Sequence, residues 1–261
     1  LSAKQSSIND ALLSARDIEL DSQRSLDIND STFAAEQLAI DSAQLDLTNS
    51  QLQSNQISID SQQVNVASVE LSAADIRVDA SSILLSDVFT HSDKLQVNSD
   101  ELSVLSSQWV VKDLAIDSDS MLSKDSQYQA ESAQLDADSA RLIGDQWQIL
   151  SFASDADTNS ISEGGAATET FSAKVDDLEL VNSVLVARDI ELTGKEVALR
   201  GSDLQAERLH IKAPQALLDA NSKARISDTI NIDGSDAFFA ADTDTRQLAM
   251  YGKRVPHGGK F

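Results

Sequence analysis

The sequence predicts an all-β fold: a β-solenoid, or β-helix, with turns of about 19–20 residues, interrupted once by a polar loop. Three observations lead to this prediction. Short apolar pairs recur at a nearly constant interval, the two members of each pair stand two residues apart, and the repeated units lack the signals of tight hairpins.

The first observation is a repeated word. The letters LAIDS occupy residues 38–42 and 114–118, so the two copies are separated by four intervals of 19. Related apolar pairs follow one another along the chain in steps of 20, 19, 19, 19, 19 and 21. These pairs are Ile18/Leu20, Leu38/Ile40, Ile57/Ile59, Ile76/Val78, Leu95/Val97, Leu114/Ile116 and Leu135/Ala137.

The spacing within each pair favours strands over helices. Alternation with a period of two places one side chain inward and the next outward, whereas a helix needs apolar residues at i, i+3, i+4 and i+7. None of these seven units carries an Asn-Gly or Asp-Gly hairpin turn. A chain that coils, laying each strand on its equivalent one turn earlier, fits this pattern. Roughly a dozen such turns, at about 4.8 Å each, predict a rod on the order of 50–60 Å long.

The rhythm also predicts the organisation of the chain. We expect an N-terminal β-solenoid over residues 1–150, a polar loop or linker over 151–172, C-terminal solenoid turns over 173–251 and a tail over 252–261. The predicted loop, FASDADTNSISEGGAATET, is rich in small polar residues and shows no apolar period. The chain starts at Leu1 without a basic and apolar leader, which predicts a processed or incomplete N-terminus.

Composition excludes several classes of function. A net charge of −23 opposes binding to nucleic acid and to anionic membrane surfaces. The absence of cysteine excludes disulfides and thiolate metal sites. There is no run of about 18 apolar residues, so the sequence predicts no transmembrane segment.

An aspartate follows most of the apolar pairs, and equivalent positions of a solenoid stack. Asp41, Asp60 and Asp79 are therefore the candidate metal ligands, because a Ca²⁺ column would neutralise carboxylates that lie about 4.8 Å apart. The alternative is that Asp-Ser caps a turn and the carboxylates spread into water. The sequence otherwise predicts no cofactor.

No motif indicates an enzyme. The three histidines, His91, His210 and His257, fall in different units, and neither a serine-nucleophile elbow nor a phosphate-binding loop occurs. A polysaccharide-active β-helix remains an alternative, because such enzymes place acidic residues on one face. With few aromatic residues for stacking on sugars, a non-enzymatic protein is favoured.

Part of the chain resembles known solenoids. LVARDIELTGKEVALRGSDLQAERLHIKAP at residues 185–214 is similar to the β-helical repeats of bacterial injection-machine spikes, of the type VI secretion or phage-like kind. LSAADIRVDA at 71–80 and INIDG at 230–234 share this character, and haemagglutinin-like solenoid adhesins have a similar interval. This resemblance implies a spike, stalk or adhesin.

A second resemblance lies near the C-terminus. FFAADTDTRQLAMYGKRV at residues 238–255 looks like one repeat of the lipopolysaccharide-transport bridge family, whose open β-groove shields acyl chains. It implies the alternative of a periplasmic lipid-binding protein.

The sequence as a whole favours a structural or interaction protein with no catalytic residues. We expect an elongated acidic rod in an extracellular, cell-surface, virion or secretion assembly, with the periplasm as the alternative location. Its expected partners are other proteins or further copies of itself, in a homo-oligomer or an end-to-end filament.

Overall fold

A computed structural model describes residues 2–251, with side chains described for residues 4–250. It confirms the predicted fold class: the described residues are 82% strand and include no helix, and their parallel sheet stacks as a β-solenoid of about 13 turns. The described residues therefore contain no helix with the length and hydrophobicity that a membrane crossing requires. The predicted tail at 252–261 lies outside the described residues.

The described residues form 22 strands, and the chain divides into two compact units between Glu131 and Ser132. The first unit contains β1 (Ser2–Asn9), β2 (Leu12–Ser14), β3 (Asp17–Asn29), β4 (Thr32–Ala34), β5 (Gln37–Thr48), β6 (Gln51–Gln53), β7 (Gln56–Ala67), β8 (Glu70–Ser86), β9 (Phe89–Leu105) and β10 (Gln108–Lys124). The division falls within β11 (Gln127–Ile143).

The second unit continues the same pattern. It contains β12 (Gln146–Ser162), β13 (Gly165–Ala167), β14 (Thr170–Val181), β15 (Val184–Val186), β16 (Asp189–Thr193), β17 (Glu196–Arg200), β18 (Asp203–Lys212), β19 (Gln215–Leu218), β20 (Lys223–Asp233), β21 (Asp236–Phe239) and β22 (Asp242–Tyr251).

One turn of the solenoid, here called a coil, is illustrated by residues 30–48. A short strand, β4, is followed by the longer β5, in which the small, buried Ser42 lies between the two apolar pairs. The large inward side chains are each at most 2% exposed: Phe33, Leu38, Ile40, Leu45 and Leu47. Each such side chain contributes about 1.5–3 kcal/mol by leaving water, so the core of a coil is held by its alternating residues.

Successive coils stack in parallel and in register. Leu38 pairs with Ile57, and Ile57 pairs with Ile76, so equivalent residues form columns through the first unit. In the second unit Leu178 pairs with Val197 in the same way. This register sets the inward residues of one coil against the inward residues of the next.

Between residues 10 and 201, each coil turns at one residue with positive φ. From Asp30 to Gly201 these corners recur at one constant interval without exception. They are Asp10, Asp30, Asn49, Ser68, Asp87, Ser106, Asp125, Gly144, Glu163, Asn182 and Gly201. Asp, Asn and Gly tolerate this left-handed conformation best, which explains why so few glycines suffice. The longer last step predicted for the apolar pairs, to Leu135/Ala137, is wrong, since the corners Asp125 and Gly144 keep the constant interval and make Ala133/Leu135 the equivalents of Leu114/Ile116.

A column of buried serines follows the corners. The hydroxyl of Ser50 accepts a bond from the backbone N–H of Ser31 at 3.0 Å and donates to the Thr48 carbonyl at 2.7 Å. Ser107 and Ser126 repeat this arrangement. The serines thereby satisfy backbone groups that the corner removes from the sheet, which a buried chain requires.

The predicted polar loop at 151–172 is wrong. These residues belong to β12, β13 and β14, and the Phe152 ring stacks on Phe171 with centroids 4.9 Å apart. Ser154 and Asn159 occupy inward positions, where the Asn159 amide donates to the Ser154 hydroxyl at 3.1 Å. The inward positions of this region hold small residues or hydrogen-bonded polar residues, so hydropathy shows no apolar period there. The predicted boundaries at 150 and 172 accordingly do not appear as breaks in the strands.

The aromatic pair at equivalent positions of adjacent coils belongs to the core. Trp109 and Tyr128 are 1% and 2% exposed, with ring centroids 5.2 Å apart in an edge-to-face arrangement. The Tyr128 hydroxyl lies 2.6 Å from the Ser123 hydroxyl, which satisfies its polar end. The pair therefore stabilises the interior and offers no platform to a ligand.

Candidate functional site

The predicted aspartate column exists. Asp41 pairs with Asp60, and Asp60 pairs with Asp79, so the three candidate ligands lie one above another on the outside of the first unit. Asp41 and Asp60 are exposed and Asp79 is half-buried. The sequence thus predicted the placement of these carboxylates correctly.

The carboxylates of this surface have protein partners. Asp79 accepts hydrogen bonds from Arg77 Nε and from Asn98 Nδ2, each at 2.5 Å. Partial burial by itself would raise the pKa of Asp79, but the bonds from Arg77 and Asn98 outweigh it and lower that pKa. In a neighbouring column Asn65 donates to Asp46 at 2.7 Å. Amide groups one coil away, and a guanidinium group two residues away in the same coil, thereby stabilise these carboxylates as a bound cation would.

The geometry does not assemble a metal centre from these candidates. Within residues 2–251, no group of three or more His, Asp or Glu side chains is placed to hold a metal ion. The Ca²⁺ hypothesis for Asp41, Asp60 and Asp79 therefore gains no support from the arrangement of the side chains.

The predicted separation of the histidines is also visible. His91 is exposed on β9 in the first unit, and His210 is half-buried on β18 in the second. His257 lies outside the described residues.

A shallow depression of about 380 Å³ borders His210 in the second unit. Beside it, Asp189 accepts bonds from Arg208 Nη2 at 2.8 Å and from Arg188 Nε at 3.3 Å. The hydrogen bond from Arg208 is the main cause that lowers the pKa of Asp189. Exposed ion pairs of this kind contribute little to stability, and the depression holds no feature that selects a ligand.

The most distinctive surface is the outer side of the short strands. We call it the short-strand face: the residues two and four positions after each corner from Asp30 to Gly201, where side chains point outward. In the first unit it comprises Thr32, Ala34, Gln51, Gln53, Glu70, Ser72, Phe89, His91, Gln108, Val110, Gln127 and Gln129. In the second unit it comprises Gln146, Gln148, Gly165, Ala167, Val184, Val186, Asp203 and Gln205.

This face is almost free of charge in a strongly acidic protein. Among its twenty residues the acidic ones are Glu70 and Asp203, one in each unit. The outward residues around the aspartate column differ, because four of the ten between Ala39 and Asp117 are aspartates. They are Ala39, Asp41, Ser58, Asp60, Arg77, Asp79, Gln96, Asn98, Ala115 and Asp117. Acidic residues are thus concentrated away from the short strands.

In the second unit the short-strand face carries a furrow beside a ridge. Gly165 and Ala167 form the furrow, which has a volume of about 330 Å³. The next coil forms the ridge with Val184 and Val186, which are 45% and 39% exposed. A Cβ on Gly165 would lie 3.2 Å from the Val184 carbonyl oxygen, so a side chain there would require its neighbours to move by a few tenths of an ångström.

On the other side of the furrow lie Gln146 and Gln148, which pair with Gly165 and Ala167. The six outward residues of these three coils therefore combine an apolar centre with an amide edge and carry no charge. Such an arrangement is typical of a protein contact surface, where charges are depleted at the centre.

Hydropathy alone does not reveal this face, because glutamine and alanine are common everywhere in the chain. An alignment of the coils at their corners would have revealed the short-strand face, because the second and fourth positions after the corner are almost uncharged. Such an alignment requires that the positions of the corners be known, and the small polar residues found there do not identify the corners consistently.

Comparisons with known proteins add no family to this description. No family model, no curated protein and no solved structure matches the chain.

Proposed function

We propose that this chain is a non-enzymatic structural protein: an elongated acidic β-solenoid that serves as a spike, stalk or adhesin in a surface, phage-like or secretion assembly. The observation that carries the proposal is the in-register stacking of coil on coil, in which columns such as Leu38, Ile57 and Ile76 run through a filled core. A repeat of this kind supplies length and stiffness, because each coil is held by its neighbours on both sides.

The interior supports this role over a lipid-binding groove. Inward side chains such as Leu45, Leu47 and Val64 have no exposed surface, so they pack on one another and leave no open channel beside them. An acyl chain would have to displace this core, at a cost of several kcal/mol for each large side chain removed from its contacts.

The carboxylates support a non-enzymatic role as well. A polysaccharide hydrolase needs one carboxyl group whose pKa is raised so that it can donate a proton. The pKa values of Asp79, Asp189 and Asp219 are instead lowered by their hydrogen-bond donors. These groups are therefore held as carboxylates, which suits a solvated acidic surface.

Location and partners follow from the same proposal. A rod in an extracellular, virion or secretion assembly meets other proteins rather than nucleic acid, which its net charge of −23 repels. We place its contacts on surfaces where that charge is locally absent.

Small-angle scattering from the full chain, together with circular dichroism, tests the proposal. We expect β-rich spectra, one cooperative unfolding transition and the elongated scattering profile of a rod. A compact particle, or a helix-rich spectrum, would refute it.

Two binding assays test the competing functions. Micromolar binding of an apolar lipid probe by the full chain would favour the lipid groove. Turnover of any member of an acidic and neutral polysaccharide panel would favour the enzyme.

A further inference from the structure

The charge of the chain limits where two copies can meet. With a net charge of −23 on each molecule, a contact between acidic surfaces sets like charges close together, where they repel each other. Charges beyond about 8 Å are screened at physiological salt, so the residues inside a contact decide whether it forms. A contact between copies therefore requires a patch without acidic side chains.

The furrow and ridge of the second unit provide such a patch. The outward residues Gln146, Gln148, Gly165 and Ala167, with the ridge valines Val184 and Val186, are all uncharged. The side chains of the exposed valines present apolar surface to water, so burying them in a contact would be favourable.

The patch is also complementary to itself. The ridge lies one coil from the furrow, which is a separation of about 4.8 Å. A two-fold axis passing between them would place the ridge of each copy in the furrow of the other. Contacts of this isologous kind close after two subunits and repeat every interaction twice.

We propose that a second copy of this chain docks on the short-strand face of the second unit, with Val184 and Val186 of each molecule seated in the furrow at Gly165 and Ala167 of the other. Gln146 and Gln148 border the contact, and the same axis places them opposite Asp203 and Gln205 of the partner, which lie one coil beyond the ridge. The glutamine amides can donate hydrogen bonds to the Asp203 carboxylate there. The proposal rests on the proposed structural function and names a partner for it.

The contact is small. Stable interfaces bury about 800 Å² on each partner, and a patch three short strands wide falls below that value. We therefore expect reversible association, with a dissociation constant on the order of 100 µM.

Sedimentation velocity of the full chain over a concentration series up to about 0.5 mM, at physiological salt, tests the proposal. We expect a monomer–dimer equilibrium. Ala167→Glu introduces an acid into the furrow, and we expect it to weaken dimerisation by at least tenfold. Ala153→Glu is the matched control, since Ala153 is an exposed alanine of the same unit that lies outside the short-strand face.

A mixing experiment tests the pairing of ridge with furrow. Val186→Lys and Ala167→Glu should each dimerise poorly alone and recover association when mixed, because one ridge lysine then meets one furrow glutamate. Circular dichroism and the melting temperature confirm that each variant is folded.

Several outcomes would overturn the inference: a wild-type chain that stays monomeric throughout, equal weakening by Ala167→Glu and Ala153→Glu, or no recovery on mixing. Binding of a neutral polysaccharide that Ala167→Glu abolishes, with the chain monomeric, would assign the face to a glycan instead. None of these outcomes alters the scattering test, so the structural function and its partner can fail separately.

Discussion

Two strands of similar geometry, β5 in the first unit and β12 in the second, differ sharply in composition. β5 fills its inward positions with Leu38, Ile40, Ser42, Leu45 and Leu47, and its two apolar pairs stand out in the sequence. β12 fills the matching positions with Phe152, Ser154, Ala156, Asn159 and Ile161, and it reads as a polar loop. A coil is therefore defined by its constant register and its corners, and its inward residues need only fill the interior together.

In the coil that contains β12, large aromatic rings and small neighbouring side chains together fill the core. The large Phe152 ring packs between Trp147, at a centroid distance of 5.4 Å, and Phe171, at 4.9 Å. These aromatic contacts accompany small neighbours such as Ala156 and the hydrogen-bonded Ser154. An interior packed to normal density tolerates such exchanges when the total volume and pattern are kept.

The largest effect should come from removing the ring that anchors β12. We expect Phe152→Ala to lower the free energy of unfolding by about 4 kcal/mol, because the change leaves a cavity among aromatic rings. Urea unfolding measures it. Leu150→Ala, two residues away and 56% exposed, is the control and should stay within about 0.5 kcal/mol. Equal, small effects of both would restore the loop interpretation of this region.

The matching change in the regular coil should be slightly smaller. Leu45→Ala removes a fully buried leucine and should cost about 3 kcal/mol. Leu84→Ala, which truncates a leucine that is 40% exposed, should cost far less in the same urea titration. If the two leucines proved equivalent, the assignment of inward and outward positions in the first unit would be wrong.

The corner serines come next. Ser50→Ala leaves the buried backbone N–H of Ser31 without its acceptor, so we expect a loss of about 1–3 kcal/mol. Thermal and urea unfolding of this variant should be compared with Ser58→Ala, which removes an exposed hydroxyl. A Ser50→Ala variant as stable as the wild type would mean that the serine column does not hold the corner.

In the regular coils, the sequence alone was enough to predict the fold. Pairs such as Leu38/Ile40 predicted the all-β solenoid and the stacking of Asp41 on Asp60, because strong alternation survives without any structure. The region around Ser154 and Asn159 could not be read in this way, since buried polar residues look like loop residues until their partner is known. The short-strand face was missed for a related reason: its coherence lies between coils rather than along the chain.

Lowering the pH should destabilise the coil that ends at Asp219. Partial burial by itself would raise the pKa of Asp219, but the backbone N–H of Gly201 at 3.0 Å and the Ser222 hydroxyl at 2.7 Å lower it. With a folded pKa below the ordinary value, the stabilisation is complete above that value and is lost as the pH falls through the folded pKa. Asp219→Asn should cost on the order of 1 kcal/mol at neutral pH.

The loss caused by Asp219→Asn should shrink as the solution is acidified, because the wild-type carboxylate then protonates. Urea unfolding of both proteins from neutral pH downward measures the difference, with exposed Asp228→Asn as control. A constant difference at every pH would contradict the role of the Asp219 charge.

The smallest effect concerns the aspartate column. Because Asp79 is already bonded by Arg77 and Asn98, we expect CaCl₂ and NaCl at equal ionic strength to shift the melting temperature equally, by screening alone. A larger shift with Ca²⁺ that Asp60→Asn removes would establish a cation site on the first unit.

The central claim is that residues 151–162 form part of the solenoid as fully as residues 37–48 do. Hydrogen–deuterium exchange of the native chain, followed on peptides from these two segments, tests it most directly. Backbone amides bonded to neighbouring coils open only through larger fluctuations, so we expect strong protection in both segments. Exchange of 151–162 at the rate of an unstructured chain, beside a protected 37–48, would contradict the account.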